Sequence, residues 1–247
     1  MPPSTLFALL VVAGIGVAAI SLLVLRGTEA QPGRARRLAG PREFKVGHLV
    51  DGELPDRAVR VTGRIRCRDP LEMGDGERLV AFHRDVEVRA GGRWRSIERL
   101  RETRSFDLWD HDGSIALDPA RAEEPLIVIP SVWRGRVDEL EEAHAAAAAR
   151  VGERHGPPDA ARAITRTINV TDRLLVLARP RRDGSGRTRL EPPAGGYLIS
   201  TLELDDAMRL LGGSNRRATA GAVVGLAIAI ALVAIGGIGA LMSALLG

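Results

Sequence analysis

Residues 106–117 read Phe106-Asp107-Leu108-Trp109-Asp110-His111-Asp112-Gly113-Ser114-Ile115-Ala116-Leu117, and the reading of this stretch decides the fold class. Successive side chains on a strand point to opposite faces. Phe106 and Leu108 share one face, Asp112-Gly113 is a strong turn signal, and Ile115 and Leu117 resume the alternation. The pattern predicts a β-hairpin with one buried face.

The same habit extends outward. Val59, Val61 and Ile65 alternate around Gly63, and Leu79 to Val88 carries Phe82, Val86 and Val88 in the same manner. Gly91-Gly92 predicts a hairpin turn before Trp94 and Ile97. Leu126 to Ile129 reads as a short strand closed by Pro130. Strands are expected again at Ala163 to Val170, Leu174 to Ala178 and Tyr197 to Ser200, with Arg181 to Arg189 a basic loop. Two stretches break the pattern. Arg134 to Val151 is rich in Ala and Glu and keeps helical spacing at Val137, Leu140, His144 and Ala147, until Gly156-Pro157-Pro158 stops it. Ser200-Thr201-Leu202-Glu203 reads as a capping box before a helix with Leu204, Ala207, Met208 and Leu211 on one face. The expected class is α+β, mainly β, with two short helices.

Both ends are apolar. Thr5 to Leu25 and Ala218 to Gly247 contain no charged residue, and roughly 20 apolar residues suffice to cross a membrane. The expected layout is a tail at 1–4, a transmembrane helix at 5–25, a juxtamembrane linker and lead-in at 26–57, a β-rich domain at 58–213, and a second transmembrane helix at 218–246. The first segment reads as an anchor, because it has no basic n-region and arginines follow it directly. Arg26, Arg34, Arg36, Arg37 and Arg42 follow the first span; Arg209, Arg216 and Arg217 precede the second. Basic flanks face the cytoplasm, so a two-pass cell-membrane protein is expected, its central domain cytoplasmic and its termini across the membrane. Gly221 with Gly225, and Gly14 with Ala18, form small-xxx-small pairs that let helices approach closely; ordinary membrane composition explains them equally well. Arg34, Arg36 and Arg37 are suited to anionic lipid headgroups.

Composition excludes several chemistries. Cys67 is the only cysteine, so no intramolecular disulfide and no cysteine-rich zinc site can form within the chain. The five histidines are scattered. A net charge of +4 gives no concentrated basic face, and no nucleic-acid partner is expected. Lys45 is the only lysine among 35 basic residues.

The order of parts resembles the GIDE domain family, also called BAM (beside-a-membrane) domains, found in membrane E3 ubiquitin ligases and prokaryotic relatives. Val61-Thr62-Gly63-Arg64-Ile65 is similar to the opening strand. Phe82-His83-Arg84-Asp85-Val86-Glu87-Val88 with Trp94 matches the aromatic, Val-Glu and tryptophan pattern. Phe106, Leu108, Asp110, Gly113, Ile115, Leu117 and Pro119 match the family hairpin; Ile168 to Leu177 and Tyr197-Leu198-Ile199-Ser200 resemble its closing segments. Val80 or Ala81 stands where many relatives carry a cysteine. The ligase relatives place a RING finger after the second span; this sequence ends at Gly247 without RING ligands. The resemblance therefore implies a membrane-anchored protein-interaction scaffold. The alternative is a component of a ubiquitin-ligase-like system acting with a separate RING partner.

No catalytic, cofactor or metal residues are assigned. Asp110-His111-Asp112 reads as turn chemistry, because neighbouring strand residues face apart. Asp85 and Glu87 share a strand face and are expected to pair with arginines across strands. Ser185, between Gly184 and Gly186, lies in a flexible loop and not a nucleophile elbow. Trp94 and Trp109 are expected in the core, and Trp133 at an exposed anchor position. The partner-binding or family-motif residues are Phe82, Val86, Glu87, Trp94, Phe106, Asp110, Gly113, Trp133, Ile199 and Ser200.

Overall fold

A computed structural model describes residues 3–28, 30–74, 76–213 and 216–246. The chain is α+β, with 38% strand and 37% helix. It divides into two compact units: Gly40–Ala207, and Met1–Ala39 with Met208–Gly247.

The first unit holds twelve described strands in two sheets. The larger runs β11(Thr188–Glu191)-β10(Arg173–Arg182)-β2(Val59–Arg66)-β6(Phe106–Asp110)-β7(Gly113–Leu117). β1(Glu43–Lys45) pairs parallel to β2, and β12(Leu198–Ser200) pairs with β10. β11 lies against β7, so this sheet is nearly closed. Alternation places Val59, Val61 and Ile65 inside with Phe106, Leu108, Ile115 and Leu117, every second residue along each strand. Val176 packs with them, in register with Val61. Each such buried aliphatic contributes about 1.5–3 kcal/mol.

The smaller sheet runs β3(Leu71–Glu72)-β4(Arg78–Ala90)-β9(Ala160–Asn169)-β8(Ser131–Gly135), with β5(Arg93–Thr103) on β4. Gly91 and Gly92 turn the β4–β5 hairpin at φ +58° and +73°, the left-handed geometry of a two-residue hairpin loop. α4(Glu142–His155) covers one face through Ala148 and Val151, with Leu140 just before the helix, against Val88, Ala161 and Ile97. α3(Val46–Asp51) caps the β6–β7 hairpin.

Several expectations change. Leu126–Ile129 forms no strand, only an isolated bridge from Ile127 to Ser200. Arg134 belongs to edge strand β8, and the helix begins at Glu142, because Arg134 and Gly135 hydrogen-bond along β9. The capping box does not form: Ser200 pairs with Leu175 in β12, its hydroxyl accepts the Leu202 N–H at 2.9 Å, and α5(Leu204–Gly213) starts later. Residues 30–39, read as linker, form α2(Ala30–Ala39), where Pro32 falls in the first turn, which tolerates it, and Ala, Arg and Leu outweigh Gly33.

The other unit is built on α1(Pro3–Thr28) and α6(Arg216–Leu246), packed antiparallel. Two long spans were expected. Among the described residues one segment, Ala220–Gly239, is long and apolar enough to cross a membrane; Leu9–Leu23 in α1 is apolar but shorter. The helices meet through small residues. A β-carbon on Gly14 would lie 2.9 Å from the Ala229 carbonyl oxygen, and one on Gly236 2.8 Å from that of Phe7. Gly225 faces Ser21 and Val17, whereas Gly221 meets nothing. Leu9, Val12, Ile15, Leu23, Val224, Ile228, Ile230 and Ile238 are more than half exposed on the outside.

Candidate functional site

The outward row of the larger sheet carries unneutralised cations. Register places Arg64 of β2 opposite Arg173 of β10 on one side and Trp109 of β6 on the other. Lys45 of β1 stands opposite Thr62. Like charges directly opposite are destabilising, and Lys45, Arg64 and Arg173 make no ion pair among the described residues. They line a cavity of about 370 Å3 with Thr62, Trp109, His111 and Asp112. A second cavity of about 450 Å3 shares Thr62 and Arg173 and extends past Leu175 to Leu202 and Leu204, with Glu43, Glu203 and Asp205 also lining it. The two adjoin through Thr62 and Arg173, giving a groove with a cationic end beside an indole and a far end where leucines alternate with carboxylates.

Asp110 builds the wall of this groove. Its Oδ1 accepts the N–H of Asp112 at 2.9 Å and of Gly113 at 3.1 Å, and its Oδ2 accepts the N–H of Gly47 at 3.1 Å. Burial opposes its charge, but the backbone donors of Gly47, Asp112, Gly113 and Val46 prevail and hold the carboxyl below its ordinary value. Gly113 is needed for space and not for φ: a β-carbon there would sit 2.8 Å from Val50 Cγ2 of α3. The turn itself is His111-Asp112, one residue earlier than the Asp-Gly signal suggests.

Trp109 is not in the core. With Phe106 and Leu108 inside, it must face out; its Nε1 donates to the Ile65 carbonyl at 3.3 Å and Arg66 stacks 4.8 Å from the ring. Trp94 is 36% exposed beneath Arg162 at 4.2 Å. Both indoles are thus corrected from core to surface, where strand parity and a cation hold them.

The other motif residues do not converge on one site. Val86, Phe106, Ile199 and Ser200 are buried, Phe82 is half-buried, and Trp133 is 39% exposed on edge strand β8, lying over Gly135. Glu87 accepts from Arg162 at 2.5 Å, and Asp85 from Arg101 at 2.6 Å and Arg166 at 3.4 Å. Glu124 joins this ladder through Arg99 and Arg101. The carboxylates are therefore paired across strands, while Arg84 and Arg89 turn to Glu141 and Asp159. His83 is buried in the same ladder; burial first, then Arg101, pushes its pKa down. Among the described residues no three His, Cys, Asp or Glu side chains could hold a metal ion. Arg34 is 5% exposed, Arg36 is exposed and Arg37 is half-buried. Arg64 and Arg173 escaped the sequence reading because single arginines are unremarkable among so many; only β-sheet register sets them side by side.

Compared with known protein families, with curated proteins and with solved structures, this chain finds no match.

Proposed function

We propose that this chain is a membrane-anchored interaction module of the GIDE type, whose β-rich unit docks an acidic, extended segment of a protein partner in the groove beside Trp109. The carrying observation is the cluster of Lys45, Arg64 and Arg173, cations without ion-pair partners among the described residues, beside the half-buried indole of Trp109. Carboxylates of a partner would relieve their mutual repulsion at the cationic end, and the far end, where Leu202 and Leu204 stand among Glu43, Glu203 and Asp205, would take an apolar or basic side chain of the same segment.

The anchor in this proposal is a two-pass hairpin of α1 and α6. Small residues face inward at Gly14, Gly225, Ala229 and Gly236, and large aliphatic side chains face outward. That arrangement inverts a water-soluble helix pair and suits lipid, where close backbone packing drives association. Flanking arginines orient the β-rich unit to the cytoplasm.

The test is photocrosslinking in native membranes from a probe placed at Thr62. A discrete partner adduct is expected, and the double variant Arg64→Glu, Arg173→Glu should abolish it. An adduct unaffected by charge reversal, or none above the level of a probe at exposed Arg93, would refute the reading.

A further inference from the structure

A second, separate cationic groove lies between α4 and β5. Ala147, Arg150, Val151 and Arg154 recur at the three- and four-residue spacing of one helix face, and this face looks onto Arg95 and Ile97 of β5. The cavity between them is about 450 Å3, and no acidic residue lines it. Glu98 of β5 is engaged with His144 at 2.8 Å, and Glu141, just before α4, with Arg84 at 2.9 Å. Arg150 and Arg154 are like charges one helical turn apart, an arrangement that weakens an isolated helix. Arg95 Nε is buried and donates to nothing. A buried donor left unsatisfied is costly, so the site is incomplete as a purely structural feature.

We propose that this groove binds a small phosphate ester. Three guanidinium groups around one cavity match a dianion, and their planar forks can each grip two oxygens. The Arg95 Nε–H supplies a donor at the protected end. Ile97, Ala147 and Val151 form an apolar floor beside the charges, which selects an ester with an apolar group over bare phosphate. The same chemistry is offered by a soluble ester and by a phosphatidate headgroup.

The probe is phenyl phosphate, titrated calorimetrically at low salt into the full chain held in phosphatidylcholine nanodiscs. One saturable site is expected, with inorganic phosphate weaker and phenol not bound. Arg150→Gln with Arg154→Gln should weaken binding by at least about tenfold, since charged hydrogen bonds are lost while glutamine preserves helix propensity. Arg95→Gln leaves α4 untouched and should show the same direction of loss. Arg93→Gln, outside the groove, should bind as wild type. Adding phosphatidate to the nanodiscs separates the sources: lost phenyl phosphate binding assigns the site to a lipid headgroup, and unchanged binding assigns it to a soluble ester. Absence of saturable binding in phosphatidylcholine, or equal affinity in the Arg150, Arg154 and Arg95 variants, overturns the proposal.

Discussion

Replacing Asp110 should separate the contributions of three bonds, one that fastens α3 to the β6–β7 hairpin and two that close the hairpin turn. In Asp110→Ala the N–H groups of Gly47, Asp112 and Gly113 all lose their acceptor. Two of these bonds are partly buried and one is exposed. At about 1–1.5 kcal/mol for each partly buried bond to a charged acceptor and about 0.5 for the exposed one, the loss is roughly 3 kcal/mol. Asp110→Asn is the sharper probe. Its remaining oxygen can keep the Asp112 and Gly113 bonds, but its amide then meets the Gly47 N–H donor to donor. A cost of about 1–2 kcal/mol follows. Stability would be read from unfolding of the purified full chain in mild detergent, followed by tryptophan fluorescence. The carboxyl is held below its ordinary value of 3.8, so its contribution is complete above that pH and fades as pH falls through the folded value. Wild type and Asp110→Asn should therefore converge in acid. Equal losses for Asn and Ala, or a loss under about 0.5 kcal/mol for Ala, would refute the three-bond account.

The helix hairpin predicts a disulfide. A β-carbon at Gly225 would lie 3.8 Å from Ser21 Cβ, the ordinary spacing of a cystine. Ser21→Cys with Gly225→Cys, in a Cys67→Ser background, should oxidise within one chain, seen as a mobility shift reversed by reductant; Gly236→Val should reduce its yield by forcing the helices apart. His83 is held neutral by burial and Arg101, below its ordinary 6.5. Stability is then complete above that pH and declines as pH falls toward the folded value, and His83→Gln should flatten this slope in unfolding curves between mildly acidic and neutral pH. Tyr197 is the only tyrosine, and burial pushes its pKa up to about 12. The tyrosinate absorbance of the folded chain should appear only near that pH, and Tyr197→Phe, which strips the 2.6 Å bond to the Leu190 carbonyl, should cost about 1 kcal/mol in thermal unfolding.

Much of this fold was legible locally. Phe106 and Leu108 inside force Trp109 outside, a parity already present in the quoted stretch although the expectation placed that indole in the core. Gly91-Gly92 marked its hairpin and Gly156 its helix end, because each position adopts a φ that other residues avoid. The start of α4 was misread because Arg134 and Gly135 lack any strand signal of their own and are ordered by pairing with β9. The short β1 and α3 were missed for the same reason: neither is long enough to show a period.

The sequence by itself determined which side chains seek the interior and where the chain is greasy enough for lipid, since those are properties of single residues and short periods. Only the tertiary structure decided which surfaces meet. Lys45, Thr62, Trp109 and Arg173 line one cavity because β1, β6 and β10 all pair with β2. Arg95 and Arg150 share another because α4 packs back over β5. Gly14 and Gly225 matter, and Gly221 does not, because helix rotation selects one face of each apolar rod. Hydrophobic patterning is blind to partners; backbone pairing and close packing join residues far apart in the chain, and the charges gathered there follow from that joining.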